Sequence, residues 1–501
     1  MFFRGSVFFR AFRGQIIFPS CPSWFNYFFL SFRLNQPTLD IILNIKNGKQ
    51  IKFFRLENLF LNWDVIVIGG GPAGMMSAGT AGSRGRNVLL LERNDKLGKK
   101  LFLTGQGRCN LTNADENLET FIQNTITNGK FLHSAFRSFS NLDLMNFFED
   151  LGLNLKVERG RRVFPVSEKS SDVTKALKKF LDNNKVTVHF NSRVKEILSS
   201  NNAVVGVKLE TNETLKCKKV VLATGGVSYS TTGSTGDGYR IAEKLGHKIM
   251  EIKPSLVPIE TEEDWVTELQ GLSLRNVAVT LLVNDEKIHR EFGEMIFTHF
   301  GVSGPIILTI SAYLKNYLVF TYSADISSAE FKAGRMPALQ QKKNKIALSL
   351  DLKPALSHKQ LDERLLRDFA KYSKRQFRNS LGDLLPKAMI PIMINLSGID
   401  KNKNVSELTK EERKILLNLF KGLRLKVKGL SPLEEAIITS GGISTKEINP
   451  STMESKIIQG LFFAGEIIDV DALTGGFNLQ IAFSTGHLAG ISNADILSAK
   501  K

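Results

Sequence analysis

The sequence predicts an α/β fold in which a Rossmann-like dinucleotide-binding domain is interrupted by an inserted β-rich domain and a helical cap. At residues 64–74 a short apolar run is followed by a glycine-rich turn, and a second apolar run at 460–466 returns to the same fold. Between them, the pattern of hydrophobic residues changes from alternating to helical. With 501 residues the chain is also too long for one ordinary core. The predicted boundaries are 1–62 for an extension of uncertain status, 63–250 and 431–501 for the two parts of the dinucleotide-binding domain, 251–357 for the β-rich insertion and 358–430 for its helical part.

The first strand and turn carry a dinucleotide fingerprint. Residues 64–68, Asp-Val-Ile-Val-Ile, have the β-branched apolar composition of a parallel strand buried on both faces. Gly69, Gly71 and Gly74 follow in G-x-G-x-x-G spacing, and after a helical stretch a second apolar strand ends on Glu92. In this motif the glycines permit a tight turn, close approach of a pyrophosphate and close helix packing, while the acid accepts hydrogen bonds from a ribose. The helix N-terminus adds free N–H groups and a positive dipole end.

Two later segments favour FAD over NAD. Residues 219–226 end in Ala-Thr-Gly-Gly and residues 460–466 end in Ala-Gly-Glu, and both resemble strands by which flavoproteins of the two-dinucleotide-fold type return to their cofactor. Gly475 and Gly476 precede another helical run. The N-terminus of that helix would stabilise a reduced, anionic flavin ring.

Several longer motifs are more specific still. They are GKKLFLTGQGRCNLTN at 98–113, RVFP at 162–165, TGSTGDG at 232–238, FTHFGVSGP at 297–305 and TGGFN at 474–478. With these motifs the sequence resembles the BaiN-like and aminoacetone-oxidase-like NAD(P)/FAD-dependent oxidoreductases from residue 64 to about 494. The resemblance implies bound FAD, oxidoreductase activity and an inserted domain. Gln106 and Gln459 stand where that family usually has Gly and Pro, and Gln106 places a side chain in a loop whose glycines let the backbone approach the cofactor.

The fingerprint and the resemblance together predict a set of cofactor-binding residues. They are Gly69, Gly71, Pro72, Ala73, Gly74, Glu92, Arg93, Lys100, Gly107, Arg108, Cys109, Asn110, Val194, Thr224, Gly225, Gly226, Gly465, Glu466, Gly475, Gly476, Phe477 and Asn478.

The catalytic residue is not predicted, because a flavin accepts hydride itself and needs no obligatory acid–base pair. The resemblance places Arg108, Cys109, Asn110, Thr474 and Asn478 within reach of the flavin ring. A structural ion pair explains Arg108 equally well. Cys109 is favoured as a small packing residue over a reactive thiol, because the sequence offers it no partner cysteine.

Three other residues are candidates for proton transfer. His299 is the best-placed histidine, although a single histidine in an apolar stretch is more often hydrogen-bonded in the core. Tyr229 and Tyr239 border a glycine-rich loop and are candidate donors to a substrate carbonyl.

Composition and cysteine usage narrow the class of protein. Hydrophobic residues make up 42% and charged residues 23%, as in soluble globular proteins. Three widely spaced cysteines without a C-x-x-C pair argue against a disulfide framework, a zinc site and a dithiol centre, and favour a reducing cytoplasm. The sequence contains no clustered metal ligands, so no metal is expected, and no G-x-S-x-G nucleophile motif.

The formal charge of +18 raises the question of an anionic partner. Residues 1–62 hold eight Lys/Arg and two acids, and the remaining +12 is interpreted as diffuse solvated surface, so no nucleic-acid partner is expected. The runs 342–345 and 421–428 are the only ones to test for RNA binding.

Residues 1–62 show no clear periodicity, and they contain thirteen of the 35 phenylalanines. Pro19 and Pro22 interrupt the longest uncharged run, so neither stable membrane insertion nor a signal peptide is expected. Three interpretations remain: a surface or membrane-contacting extension, a targeting segment, or upstream sequence translated from a misassigned start. The last is favoured.

Within the insertion, local patterns predict individual elements. Apolar alternation on either side of Asn284-Asp285 predicts a β-hairpin. Thr409-x-x-Glu412 and Ser431-Pro-Leu-Glu434 each predict a helix capping box. The chain is expected to return to the flavin fold near Ile443.

The leading functional hypothesis is an FAD-dependent oxidoreductase that transfers a hydride between flavin and a small enone, ketone or amine. NAD(P)H is the expected reductant and would bind transiently, because the chain has one complete fingerprint. The alternatives are an FAD-dependent amine oxidase that uses oxygen, a flavin-dependent RNA-modifying enzyme and a non-catalytic flavin-bound regulatory protein. The oligomeric state is not predicted.

Overall fold

The computed structural model describes residues 63–320 and 344–494, and also the backbone of short strands within 11–57 and at 339–340. The chain divides into two compact units, Met1–Trp63 and Asp64–Lys501. Of the two basic runs singled out above, the first falls partly outside the described residues, at 342 and 343.

The first unit contains a sheet in which neighbouring strands pair antiparallel. Its strands are β1 (Ala11–Phe12), β2 (Gln15–Ile16), β3 (Phe28–Asn35), β4 (Thr38–Ile45) and β5 (Gln50–Glu57). The sequence pattern does not predict these strands, because strands are predicted from the alternation of apolar and polar residues. Backbone hydrogen bonds can pair strands even where that alternation is missing.

The strands that follow in the chain are β6 (Trp63–Ile68), β7 (Val88–Leu91), β8 (Thr112–Asn113), β9 (Thr125–Thr127), β10 (Leu155–Glu158), β11 (Arg162–Pro165), β12 (Thr187–His189), β13 (Val194–Ser200), β14 (Ala203–Leu209), β15 (Thr214–Leu222), β16 (Ile249–Ser255), β17 (Ile259–Thr261), β18 (Ser273–Val283), β19 (Glu286–Phe297), β20 (Gly301–Ser303), β21 (Val319–Phe320), β22 (Leu339–Gln340), β23 (Ile346–Asp351), β24 (Leu423–Leu430), β25 (Ile438–Ile443), β26 (Leu461–Phe463) and β27 (Asp471–Ala472).

The α-helices are α1 (Pro72–Ser83), α2 (Leu118–Gln123), α3 (His133–Ser138), α4 (Asn141–Asp150), α5 (Ser170–Asn183), α6 (Asp237–Lys244), α7 (Trp265–Glu268), α8 (Pro305–Leu314), α9 (His358–Lys371), α10 (Met389–Ser397), α11 (Lys410–Gly422) and α12 (Phe477–Ser492). Within the described residues, no helix combines the length and the apolar character needed to cross a membrane.

The central sheet has the strand order β12-β7-β6-β15-β14-β13, and β26 also pairs with β15. Strands β12, β7 and β6 pair in parallel, as do β15 and β26. All four residues of β7 are buried, which is why that strand reads as a continuous apolar run in the sequence. Helices α1 and α12 pack together, so the two ends of the flavin fold meet at this sheet. The predicted α/β fold is confirmed.

The inserted β-rich part is a closed antiparallel barrel of strand order β17-β20-β19-β18-β23-β24. Its longest hairpin, β18 and β19, turns at Asn284 and Asp285, which have φ angles of 51° and 67°. Two successive positive φ values are those of a type I′ turn, whose twist matches that of the flanking strands. The predicted hairpin is confirmed.

The helical part lies between β23 and β24 and contains α9, α10 and α11. The side chain of Thr409 accepts a hydrogen bond from the Glu412 N–H at 3.1 Å, and Glu412 accepts one in return from the Thr409 N–H at 2.8 Å, so the predicted capping box is confirmed. The prediction that the helical pattern continues to Leu430 is wrong, because 423–430 alternates apolar and basic residues and forms the strand that closes the barrel.

The second predicted capping box is also wrong. Only a short 3₁₀ turn, Leu433–Glu435, follows Ser431, and it has no side-chain cap. The backbone N–H of Ser431 instead donates to the carbonyl of Pro258 at 3.1 Å, next to the paired strands β17 and β24.

Candidate cofactor and substrate site

A cavity of about 1070 Å³ lies where the flavin fold meets the inserted part. Its walls come from the loop after β6, the 3₁₀ segment Lys99–Gly107, the loop after β15, the N-terminal end of α12 and the side of α8. This volume is at the upper end of the range for small-molecule and cofactor sites. The cavity can therefore hold a dinucleotide together with part of a second ligand.

The glycine-rich loop presents backbone to this cavity. Gly69, Gly71, Pro72 and Ala73 line it, and α1 begins at Pro72 with Gly71 as its N-cap. A Cβ built on Gly71 has no described heavy atom within 4 Å, so the backbone there faces open space. Gly74 lies outside the lining, and a Cβ on it would come within 1.9 Å of the Gly69 carbonyl oxygen, which explains why the helix needs glycine at that position.

The acid at the end of β7 holds the glycine-rich loop in place. Glu92 is buried; its Oε2 accepts the Gly70 N–H at 2.7 Å and its Oε1 accepts the Asn94 N–H and side-chain amide, both at 2.7 Å. Glu92 and Asn94 both line the cavity. The sequence pattern found Glu92 by its distance from the glycines but gave no signal for Asn94.

Two buried polar atoms in the cavity wall support a polar ligand. Thr224 Oγ1 and Asn110 Oδ1 have no hydrogen-bond partner among the described residues, and both residues line the cavity. An unpartnered buried polar atom is costly, so a ligand that supplies a hydrogen-bonding partner is favoured. Together with the open backbone at Gly71, these atoms fit a bound dinucleotide such as FAD.

Three arginines surround one carboxylate at the Glu92 side of the cavity. Asp237 forms ion pairs with Arg93 at 3.0 Å, with Arg193 at 2.7 Å and with Arg240. Burial acts to raise the pKa of Asp237, but hydrogen bonds and charge from Arg193 and the other guanidinium groups hold it below its usual value. The predicted Arg93 and Val194 line the cavity; Arg193 and Asp237 also line it and were not predicted.

A second ion pair lies behind the loop after β15. The Nζ of Lys100 is 2.7 Å from Oε2 of Glu466, and it also donates to Ser228 Oγ at 2.7 Å. Glu466 Oε1 accepts the backbone N–H of Thr439 at 2.8 Å. Lys100, Glu466, Thr224, Gly225 and Gly465 line the cavity, whereas Gly226 packs behind it, where a Cβ would lie 2.3 Å from Thr439 Oγ1.

The N-terminal end of α12 is shaped by two glycines with positive φ. Gly475 and Gly476 have φ angles of 124° and 100°, and a Cβ on Gly476 would lie 2.3 Å from the carbonyl of Thr112. Both glycines line the cavity, as do Phe477, Asn478 and Thr474. The amide of Asn478 is already engaged, because its Oδ1 accepts the Ala472 N–H at 2.9 Å and its Nδ2 donates to the Ala472 carbonyl at 2.7 Å.

The segment 106–110 contains three candidate residues in different situations. Asn110 and Arg108 line the cavity, and Arg108 is 3.0 Å from Glu158 while its guanidinium lies 4.1 Å from the centre of the Phe164 ring. The predicted residues Gly107 and Cys109 do not line it. Cys109 is fully buried, and burial raises the pKa of its thiol to about 12. These surroundings support the packing interpretation of Cys109.

Gln106, the departure from the family pattern, lines the cavity with a φ of 57°. This is the left-handed conformation that glycine adopts without strain. The loop therefore keeps the backbone shape expected for glycine and carries an additional side chain.

The proposed proton donors are dispersed. His299 is exposed in the turn between β19 and β20 and does not line the cavity, so the expectation of a core histidine is wrong there; the turn ends the apolar strand and carries the side chain to the surface. Tyr239 is buried and its hydroxyl donates to the Glu466 carbonyl at 3.4 Å. Tyr229 lines the cavity.

The inserted part and the segment that follows it form an apolar wall that the sequence did not indicate. It consists of Leu256, Pro305, Leu308, Ile437 and Ile438. These residues come from α8 and from the ends of β16 and β25, which are distant in the sequence, so only the folded chain brings them together. A wall of this kind excludes water and suits a planar or hydrophobic substrate.

A buried ion pair connects that wall to the segment before α12. Lys315 follows α8 and Asp471 lies in β27; their side chains are 1% and 0% exposed, and they are hydrogen-bonded to each other. Ser440 Oγ lies 2.8 Å from Lys315 Nζ and 2.8 Å from Asp471 Oδ1. Burial lowers the pKa of Lys315, against the attraction of Asp471.

A half-buried histidine on α12 predicts an acid-sensitive fold. His487 stacks on Phe139 with ring centroids 4.4 Å apart, and its Nδ1 has no partner among the described residues. Burial, with a smaller contribution from Arg84, lowers its pKa from 6.5 to about 4. The unfolded chain therefore binds a proton first, and stability that is complete above pH 6.5 is lost as the pH falls toward 4, by about 3 kcal/mol.

We expect His487→Phe, which keeps a stacked ring, to reduce the loss of stability between these two pH values. The measurement is urea unfolding at pH 7 and at pH 4.5 or so, with the exposed His358→Gln on α9 as the control. A His487→Phe protein that loses as much stability on acidification as the unmodified chain would contradict the assignment.

A family model agrees with this architecture. The model of the HI0933-like protein Rossmann domain matches residues 63–492. The chain is 28% identical to a 3-dehydro-bile acid delta(4,6)-reductase of Clostridium scindens, covering 86% of this chain and 98% of that protein. It is also 28% identical to a ribosomal RNA dihydrouridine synthase of Escherichia coli K12, covering 87% and 99%. Among solved structures, 3-ketosteroid-delta4-(5alpha)-dehydrogenase of Rhodococcus jostii RHA1 aligns with a TM-score of 0.46 at 16% identity, covering 88% of this chain and 98% of that one.

Proposed function

The chain belongs to the HI0933-like family of FAD-binding Rossmann oxidoreductases, and we propose that it is an FAD-dependent reductase that saturates a carbon–carbon double bond conjugated to a carbonyl. The observation that carries this proposal is the apolar wall at Leu256, Leu308 and Ile438, which forms part of the same cavity as the glycine-rich loop. Against this wall, a conjugated double bond would lie close to the cofactor and away from water.

The names of the relatives support the same reaction type. A delta(4,6)-reductase of a 3-dehydro bile acid and a dihydrouridine synthase both saturate a double bond conjugated to a carbonyl. Both relatives are 28% identical to this chain, so identity alone does not choose between a small molecule and RNA.

In this proposal the residues of the chain bind and orient the reactants. The backbone at Gly71 and the N-terminus of α1 would hold the phosphates of FAD, and Glu92 would orient its ribose. The N-terminus of α12 would stabilise negative charge on the ring, and bound FAD would supply the hydride chemistry. Of the four catalytic candidates, Arg108 and Asn110 line the cavity and so can contact substrate, whereas Cys109 and His299 do not line it.

NAD(P)H is the proposed reductant, and anaerobic spectroscopy tests it. We expect purified, FAD-loaded protein to lose its visible flavin absorbance within seconds when NADH or NADPH is added without oxygen. Bleaching by a primary amine, and by neither nucleotide, would favour the amine oxidase instead. A protein that neither nucleotide nor amine reduces would support the non-catalytic regulatory alternative.

A second candidate substrate, uridine in RNA, is favoured by the distribution of charge. The expectation of evenly spread charge is wrong: residues 358–430 hold seventeen Lys/Arg and eight Asp/Glu, and therefore carry +9 of the total +18. The two substrate classes can be separated with reduced protein, by comparing reoxidation by ribosomal RNA with reoxidation by a 3-oxo-4,6-diene steroid. Reoxidation by the steroid alone would exclude RNA as the substrate.

A further inference from the structure

The excess positive charge of the helical part, residues 358–430, does not line the cavity. None of the cavity-lining residues falls between 358 and 430. A net charge of +9 on 73 residues is large for a segment that folds as three helices and a barrel strand.

The basic run singled out from the sequence, 421–428, is largely neutralised by the barrel. Lys421 is 2.7 Å from Asp351 and Arg424 is 2.7 Å from Asp285. Lys426 and Lys428 each lie 3.7 Å from a glutamate of the β17 region. This run therefore has little charge left for an external anion.

The free charge lies instead on two segments that run side by side. The N–H of Arg378 donates to the Lys401 carbonyl at 3.1 Å, the N–H of Phe377 donates to the Lys403 carbonyl at 2.8 Å, and the N–H of Val405 donates to the Arg375 carbonyl at 3.0 Å. These hydrogen bonds join 373–378 to 401–406 as an antiparallel pair. They bring together cations that are more than twenty residues apart in the sequence.

Four cations on this pair are exposed and form no ion pair within the described part of the chain: Lys374, Arg375, Arg378 and Lys401. We call these four residues the basic strip.

The acids around the basic strip compensate it only in part. Asp383 is bound by Lys371 at 2.8 Å, and Glu412 by Lys403 at 2.7 Å. Glu407 and Asp400 accept hydrogen bonds from the neutral Asn404 amide and Asn402 N–H, so these two acids keep their charge and offset two of the strip's four cations. The strip therefore keeps a net positive charge.

An aromatic ring adjoins the strip. The guanidinium of Arg375 lies 4.5 Å from the centre of the Tyr372 ring, and Lys371 Nζ lies 4.7 Å from it. Cations interleaved with an aromatic side chain are typical of surfaces that bind single-stranded or looped RNA, where phosphates pair with the cations and a base stacks on a planar group.

We infer that the basic strip, Lys374, Arg375, Arg378 and Lys401, is an RNA-binding surface that docks the RNA whose uridine enters the cavity. The inference rests on the RNA form of the proposed function. Because each contact with a phosphate releases a counterion, the strip would contribute affinity that falls steeply with salt.

The test compares two triple variants of the FAD-loaded full chain. Lys374→Gln, Arg378→Gln and Lys401→Gln remove three charges from the strip, while Lys195→Gln, Lys244→Gln and Lys248→Gln remove three exposed charges from the flavin fold. The probe is a fluorescein-labelled, uridine-rich ribosomal RNA fragment, titrated at several NaCl concentrations. We expect the strip variant to bind at least about tenfold more weakly near 0.1 M salt and to lower the slope of log K against log salt by about 2, while the control variant changes neither.

Equal weakening in both variants, or none in the strip variant, would overturn the inference. So would a strip variant that loses affinity for phosphatidylserine vesicles and not for RNA. Reduction of a small enone with NADH or NADPH is measured for the same variants, to separate the RNA-binding surface from the proposed reductase activity. An enzyme that reduces the enone but binds no RNA refutes the surface and leaves the reductase proposal intact. Strip-dependent RNA binding without any turnover supports the surface and refutes the reductase.

Discussion

Replacement of Gly71 by valine is expected to weaken FAD binding by about 100-fold while leaving the fold intact. The backbone of Gly71 faces open cavity space, with no described heavy atom within 4 Å of a built Cβ, and its φ of −79° is one that valine can adopt. The side chain would thus occupy the space where the pyrophosphate must approach, rather than clash with the protein. Overpacking of this kind costs up to about 3 kcal/mol, which corresponds to roughly 100-fold weaker binding. The measurement is the visible spectrum of the purified variant and its titration with FAD.

The matched control is Gly382→Val. Gly382 lies in the helical part, is exposed, and also has no described heavy atom within 4 Å of a built Cβ. It should bind FAD like the unmodified chain. Both variants should unfold at nearly the temperature of the unmodified apoprotein. A yellow Gly71→Val protein with unchanged FAD affinity would place the phosphates elsewhere.

The sequence predicted the dinucleotide part of the site well because that part is local. Gly69, Gly71 and Gly74 lie within six residues, and their roles follow from backbone conformation and close approach alone. Glu92 was found by its distance along one β-α-β unit. Such short-range features leave a readable pattern in the chain.

The remainder of the site depends on contacts between distant segments. Glu466 is 366 residues from Lys100, and Asp237 is 144 residues from Arg93, yet both pairs form at the cavity wall. The apolar wall likewise joins Leu256, Leu308 and Ile438. No spacing rule relates such positions, so the sequence showed individual acids and apolar residues without their partners.

The errors in the fold have a similar cause. The segment 423–430 alternates in period two, but its position directly after a helical pattern led to its assignment as helix. The excess of basic residues in 358–430 can be counted from the sequence, but Lys374 and Lys401 come together only through the pairing of 373–378 with 401–406. In both cases the decisive information is which segment lies beside which.

Removal of the buried carboxylate at Asp471 is expected to destabilise the protein strongly. Asp471→Asn is nearly isosteric, but it leaves Lys315, whose side chain is 1% exposed, without its counter-charge. Breaking a buried pair from one side costs about 3–5 kcal/mol, because an uncompensated charge remains in the interior. We expect this loss in the free energy of unfolding, measured by urea titration of the apoprotein at neutral pH.

Two comparisons show whether the cost arises from the orphaned charge. Asp383→Asn breaks the exposed ion pair with Lys371 and should leave the urea midpoint almost unchanged. The double variant Lys315→Met, Asp471→Leu removes both charges and should recover most of the stability lost in Asp471→Asn, because hydrophobic replacement of a whole buried pair is often neutral. Since Asp471 precedes Thr474 and Gly475 by only a few residues, the recovered protein would also report on the cofactor. Recovered stability with weakened FAD binding would show that the ion pair positions the segment before α12. A double variant as unstable as Asp471→Asn would rule out the orphaned charge as the cause of the lost stability.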